Sequence, residues 1–239
     1  MAVMSALGIN RIADGVTQVT VGEQAVSQVY LLDHPDGPVA FDAGVRGAGP
    51  AILEAAGSPL SRVLLSHSHI DHRGGAAELG APVFCHPDEV SDLEGDAGAS
   101  YTDLAKIRNR VVRDLMPQLA AAWDGGPVEV AGTVEQDDDV AGFRVLHLPG
   151  HAPGQIALFR EADGLLLAAD TLYTVDLETG RPAAPRVPHP ATNWDTELAR
   201  ASIRKLIDLN ASTVWTGHMG HIGADTAAAL EAAASFRYD

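Results

Sequence analysis

The run His67-Ser68-His69-Ile70-Asp71-His72 places three imidazoles and a carboxylate within six residues, directly after the apolar Val63-Leu64-Leu65. That pattern constrains the fold more than any other stretch. The short apolar run reads as a buried strand, and the donors sit at its C-terminal end, where open α/β folds place their chemistry. A solvated loop has no use for such a density of imidazoles, whereas a bound transition metal does. His67 and His69, two apart in a tight turn, can turn their rings to one ion, and Asp71 and His72 can face a second.

Three later residues repeat the placement. His151 closes Leu148-Pro149-Gly150-His151, Asp170 ends the apolar run Leu165–Ala169, and His218 follows Thr216-Gly217 beyond the strand pattern through Trp215. Each is a metal donor at a strand end. Seven donors can serve two ions, His67, His69 and His151 on one and Asp71, His72 and His218 on the other, with Asp170 between them. Such a set leaves room for a water-derived ligand, which separates a catalytic site from a closed structural one. The remaining histidines, His34, His86, His147, His189 and His221, read as non-ligands.

Patterning elsewhere sets the fold class. Alternation over Gly15–Val21, Val26–Leu32 and Val39–Phe41, with turn residues at Asp33, Pro35, Asp36 and Gly37, predicts an opening β-meander. A helix is predicted over Gly49–Ala56, a short strand over Arg62–Leu65, a helix opening at Gly74-Gly75 and a strand over Pro82–Cys85. Residues 87–123 read as a mostly helical insert with a bend at Pro117. Strands follow at 128–130, 143–148, 156–159 and 165–169. Next come a Pro-rich loop over 175–193, a helix over 196–209, a strand over 213–215 and an Ala-rich last helix over 224–236. The pattern of strands then helices, given twice, predicts an α/β protein built as a four-layer αββα sandwich, one domain over 1–239 with its insert at 87–123.

Composition excludes other classes. With 16 basic against 32 acidic residues the net charge is −16, and only Lys106 and Lys205 are lysines. Nucleic-acid binding needs clustered cations to displace phosphate counterions, and Arg108, Arg110 and Arg113 read as a solvated helix face. No apolar run is long enough to span a bilayer, and residues 1–10 lack the pattern of a signal peptide. The single cysteine, Cys85, excludes an internal disulfide framework and reads as an inert buried thiol. A cytoplasmic protein acting on a small-molecule substrate, with no nucleic-acid or membrane partner, is the expectation.

The motifs HSHIDH (67–72), LPGH (148–151), the Asp of LLLAAD (165–170) and TGH (216–218) resemble those of the metallo-β-lactamase superfamily, in order and spacing over most of the chain. The resemblance implies the αββα sandwich with a dinuclear site. It also implies a hydrolase in which two divalent ions, zinc being expected and iron or manganese admissible, lower the pKa of a shared water to attack a lactone, ester or thioester. Asp71 would orient that water. Tyr173, three residues after Asp170, lies near the offset of a tyrosine in the superfamily's quorum-signal lactonases and would donate to the developing oxyanion. The match to glyoxalase-II-type thioesterases is good through Asp170-Thr171-Leu172, but those enzymes bind glutathione with an added C-terminal helical domain that the stretch after His218 does not resemble. Alternatives are a mononuclear-iron oxidoreductase similar to persulfide dioxygenases, a phosphodiesterase or a β-lactamase. Arg73 departs from the family pattern. It is read as pointing to solvent, with recognition of a substrate carboxylate as the other possibility.

Overall fold

A computed structural model describes residues 7–22 and 27–238. The chain forms two compact units, one of residues 1–98 and 118–134, the other of 99–117 and 135–239.

The first unit is built on a seven-stranded sheet in chain order. It contains β1 (Gly8–Ala13), β2 (Val16–Val21), β3 (Ser27–Leu32), β4 (Val39–Phe41), β5 (Arg62–Leu64), β6 (Val83–Cys85) and β7 (Val130–Thr133). The expected meander is present, with β1 as an additional edge strand. Val26, read as the start of the second strand, lies outside the described residues. Pairing is antiparallel from β1 to β4 and parallel from β4 to β7. The change follows from the connections, since parallel neighbours need a crossover. Helix α1 (Gly49–Ala56) makes the first, with Pro50 in its first turn, and stops at the left-handed Gly57, whose N–H bonds to Leu53 O. The short α2 (Ile70–Arg73) and a 3₁₀ turn over Ala76–Glu78 make the second. The helix expected to open at Gly74-Gly75 is the 3₁₀ turn, and α2 precedes it as a separate element, so Asp71, His72 and Arg73 lie on a helical turn. Strands β3 and β4 are buried throughout, as strands covered on both faces must be. Val29, Leu31, Ala40, Val63 and Val83 join Ile52 and Ala48 in one core.

The insert is mostly helical, as expected, but in separate pieces. It contains α3 (Val90–Leu93), three 3₁₀ turns and α4 (Arg110–Trp123), with Pro117 inside α4. The chain passes from one unit to the other at that proline.

The second unit carries β8 (Asp139–Val140), β9 (Phe143–His147), β10 (Ile156–Arg160) and β11 (Leu165–Ala169). After β11 come β12 (Tyr173–Asp176), β13 (Arg181–Arg186), α5 (Thr196–Ile207), β14 (Thr213–Thr216), β15 (His221–Ile222) and α6 (Thr226–Ser235). The sheet order is β15-β14-β11-β10-β9-β8, with β11 and β14 parallel and their neighbours antiparallel. Strand β11, wholly apolar and wholly buried, is central. Leu166, Ala168 and Val214 pack with Ala199, Ile203 and Leu206 of α5 and Leu230 and Ala233 of α6. The stretch read as a Pro-rich loop contains the hairpin β12–β13. Its prolines, Pro182 and Pro185, stand in β13 of a two-stranded ribbon, where prolines are tolerated. Two mixed sheets with accompanying helices make this an α/β protein, the expected class.

Candidate metal centre

Four of the seven candidate donors belong to the first unit. His67, Ser68 and His69 follow β5, and Asp71 and His72 lie on α2. The ring centroid of His67 is 4.7 Å from that of His69 and 4.2 Å from that of His72. His67 and His72 are fully buried, so their polar atoms must be satisfied within the protein.

Asp42 does this, and it is the residue that sequence reasoning missed. It follows β4 in the left-handed conformation, φ 68°, which aspartate tolerates better than most residues. Its Oδ1 accepts the Ser66 N–H at 2.7 Å, and its Oδ2 accepts the Ser66 hydroxyl at 2.9 Å and His72 Nδ1–H at 2.8 Å. A carboxylate only accepts, so His72 donates from Nδ1, and in the neutral ring this leaves the lone pair on Nε2. Ser66 has spent its one hydroxyl proton on Asp42, so at 2.9 Å its oxygen accepts from Nδ1–H of His67. One carboxylate thus sets the tautomer of two histidines, a familiar way of preparing imidazole ligands. Glu89, buried behind the same turn, accepts the Ser68 N–H at 2.7 Å. Only an aspartate directly after Val39-Ala40-Phe41 signalled Asp42 in advance, and that strand-end position is the same cue that singled out Asp170.

Three donors belong to the second unit, each from a different strand end. His151 follows β9, Asp170 follows β11 and His218 follows β14. Asp170 Oδ2 lies 3.1 Å from His218 Nε2 and 3.5 Å from His151 Nε2, all three residues being buried. Register brings them together. The β11–β14 pairing shifts between Leu167 and Ala169, so that Ala169 pairs with Thr216, and Ala169 turns left-handed at φ 43°. The carbonyl oxygen of His218 lies 2.6 Å from the Thr174 hydroxyl and 2.7 Å from that of Thr216. His151 donates from Nδ1 to Asn193 Oδ1 at 3.0 Å. Gly150 just before it has φ 136°, and a Cβ there would stand 2.1 Å from Ala199 N, so only glycine lets this turn press on α5. Tyr173, first residue of β12, is buried with its ring centroid 5.7 Å from that of His151 and 5.4 Å from that of His218.

Every one of the seven donors belongs to a group of side chains that could hold a metal ion. The donor set suits a divalent metal, because donation from Nδ1 by His67, His72 and His151 leaves Nε2 of each neutral ring as the ligand atom, and a carboxylate lies between two imidazoles.

The other histidines stand outside the seven expected donors. His34 Nδ1 accepts the Asp36 N–H, and His86 Nδ1 the Asp88 N–H. His147 Nε2 lies 3.0 Å from Pro153 O, His189 Nε2 lies 3.3 Å from Glu178 Oε1, and His221 stacks on Trp215. Burial, with Glu89 and Glu94 nearby, pushes the Cys85 thiol up to about 12, so it stays protonated near neutrality.

The solvent-facing reading of Arg73 is overturned. Arg73 is 1% exposed, and its Nη1 donates to the carbonyls of Asp92, Leu93 and Gly95 at 2.9, 2.8 and 3.2 Å. Its Nη2 reaches Asp124 at 3.2 Å. The guanidinium ties α2 to the turn after α3, because a buried cation is tolerated only where acceptors surround it.

The family model of the metallo-beta-lactamase superfamily matches residues 23–218. The chain belongs to that superfamily. It is 29% identical to "Probable metallo-hydrolase YflN" of Bacillus subtilis (strain 168), over 86% of this chain and 84% of that protein. It is 32% identical to a hydroxyacylglutathione hydrolase of Methylococcus capsulatus over 67% of this chain, and that match spans about half (52%) of the relative's length. Among solved structures it is similar to metallo-beta-lactamase family protein TTHA1429 of Thermus thermophilus, at 26% identity and a TM-score of 0.67, covering 92% of this chain and 78% of that one. A second, TTHA1623 in a di-iron-bound form, gives 26% identity and a TM-score of 0.65, covering 88% and 96%. These likenesses establish the metallo-beta-lactamase fold and place the chain among hydrolases. Among the described residues no helix is long and apolar enough to cross a membrane.

Proposed function

We propose that this protein is a dinuclear metal hydrolase that cleaves a lactone, ester or thioester of a small molecule. The observation that carries the reading is the Asp170 carboxylate lying within 3.5 Å of both His151 and His218. An aspartate so placed suits a ligand shared by two ions. His67, His69 and His151 would hold one, Asp71, His72 and His218 the other, and Asp170 would serve both. When bound, the ions supply Lewis acidity and make water nucleophilic near neutral pH.

The chain's own groups do the rest. In hydrolysis a water oxygen bonds to the carbonyl carbon, the C–O or C–S bond breaks, and a proton passes to the leaving group. Asp71 accepts a hydrogen bond from the attacking water and orients it. The Tyr173 phenol, beside both His151 and His218, donates to the oxygen that gains negative charge, or protonates a leaving alkoxide. Cys85 takes no part, being buried and protonated.

The thioester branch of the reading draws support from the hydroxyacylglutathione hydrolase relatives. Zinc suits the imidazole–carboxylate donor set, and the di-iron-bound neighbour makes iron the second candidate. Metal analysis of protein purified without added metal, followed by assays on lactones, thioesters, β-lactams and phosphodiesters, tests the proposal. About two ions per chain with turnover of an acyl substrate is the expected result. One iron per chain with no hydrolysis would overturn it in favour of an oxidoreductase.

A further inference from the structure

The loop that joins β13 to α5 carries a buried amide with no role in the reading so far. Asn193, 4% exposed, accepts His151 Nδ1–H on Oδ1 at 3.0 Å. Its Nδ2 donates to Pro188 O at 2.9 Å and to Thr196 Oγ1 at 3.1 Å. Both amide protons are therefore spent on oxygens, which fixes which way the amide faces and leaves its oxygen for the imidazole. The next two residues grip the same turn through the backbone, Trp194 N–H to His151 O at 3.0 Å and Asp195 N–H to Gly150 O at 2.8 Å. Asp195 also caps α5, accepting from Glu197 N and Leu198 N. One loop thus holds both the ring and the carbonyl of His151 and anchors itself on the first turn of a helix.

From this we infer that Asn193 is a positioning residue: it fixes the Nδ1–H tautomer of His151 and thereby the affinity of one metal position in preference to the other. The inference rests on the proposal that His151 is a ligand. Its physical basis is the contrast in acceptors. His72 donates to a carboxylate, which fixes the ring and also raises its basicity, whereas His151 donates to a neutral amide, which fixes the ring without that gain. Loss of a ring-orienting partner weakens metal binding by roughly 10–100-fold. Asn193→Leu, which keeps the shape and removes both hydrogen-bonding arms, should therefore release one of the two ions first. Asn193→Asp keeps the acceptor and removes the donors to Pro188 and Thr196.

Two measurements test this. In metal-free protein with ¹⁵N-labelled histidine, His151, assigned by the resonance lost in His151→Ala, should be the Nδ1–H tautomer. It should become a mixture in Asn193→Leu and return to Nδ1–H in Asn193→Asp, an outcome that loosening of the loop alone would not produce. In zinc-loaded protein dialysed against graded chelator, Asn193→Leu should lose one ion about 10–100-fold more readily than wild type while holding the other. An Nε2–H tautomer in the wild type, measurable whether or not Asn193→Leu folds, would overturn the inference. So would wild-type retention of both ions by folded Asn193→Leu. The tautomer is read without metal, so its failure is distinct from failure of the ligand assignment, which full metal content in His151→Ala would show.

Discussion

The two units supply their candidate metal donors in opposite ways. In the first, four donors crowd into one short run between β5 and the end of α2, and a single buried carboxylate, Asp42, orients His72 directly and His67 through Ser66. In the second, three donors come from three strand ends far apart in the chain, and they are oriented by an amide, two hydroxyls and sheet register. The first set is a local device that depends on one anion. The second is a tertiary device that depends on the β11–β14 pairing. A substitution in the first should therefore act through charge and tautomer, and one in the second through placement.

Removing a donor outright should erase the contrast. His67→Ala and Asp170→Ala, one from each unit, are both expected to lower kcat/KM by roughly 10³-fold or more, the equivalent of several kcal/mol of lost Lewis-acid stabilisation. They should differ in metal content. His67→Ala removes a ligand of one ion, while Asp170→Ala removes the carboxylate beside both His151 and His218. Elemental analysis of the two variants, dialysed side by side, should find about one ion left in the first and fewer in the second. Full metal content with full hydrolysis in either would break the ligand assignment.

Tyr173→Phe probes the second unit alone. The ring keeps its packing against His151 and His218 and loses only the hydroxyl. If the phenol donates to developing charge, kcat should fall by roughly 10²-fold with metal content and KM little changed. A kcat within a factor of about two of wild type would reassign Tyr173 as a packing residue under the hairpin.

Asp42→Asn sharpens the comparison from the other side. An amide in place of the carboxylate keeps one acceptor oxygen, and its NH₂ faces either the Ser66 N–H or the His72 Nδ1–H and the Ser66 hydroxyl together, so at least one of those donors faces another donor. Metal affinity should drop roughly 10–100-fold, and stability by about 1–3 kcal/mol for the buried polar groups left without an acceptor. Chelator competition and denaturant unfolding measure the two separately. Because His72 and His67 share Asp42, both ions should weaken, in contrast to the one-ion loss expected for Asn193→Leu.

How much of this was legible in the sequence follows from the same contrast. The candidate donors could be picked out because a histidine or aspartate at the end of an apolar strand stands out, whether in one run, as at His67–His72, or singly, as at Asp170. The strands of both sheets were readable to within a residue or two where burial on both faces made them uniformly apolar, as in Leu165–Ala169. The groups that orient the donors were not. Asp42 and His72 are 30 residues apart, His151 and Asn193 are 42 apart, and no periodicity links either pair. The β12–β13 hairpin was hidden by its prolines, which a two-stranded ribbon admits and a central strand does not. Edge strand β1 was missed because none of its residues is buried and it lacks the alternation that marked β2.

Arg73 is where a sequence position beside the donors misleads most, and its substitution should have the smallest effect on catalysis. It follows His72 directly, yet its guanidinium faces away from chemistry, toward three backbone carbonyls between Asp92 and Gly95. Gly74 after it is packed so tightly that a Cβ would stand 2.2 Å from Trp123 O. Arg73→Met keeps much of the apolar stem and removes the donors. Losing charged hydrogen bonds to buried carbonyls should destabilise the fold by on the order of 3 kcal/mol, seen as a lower Tm. In protein still folded at the assay temperature, KM for anionic and neutral substrates should be equally unaffected. A rise in KM confined to anionic substrates would mean that the guanidinium reaches the substrate, and the structural role assigned to it would fall.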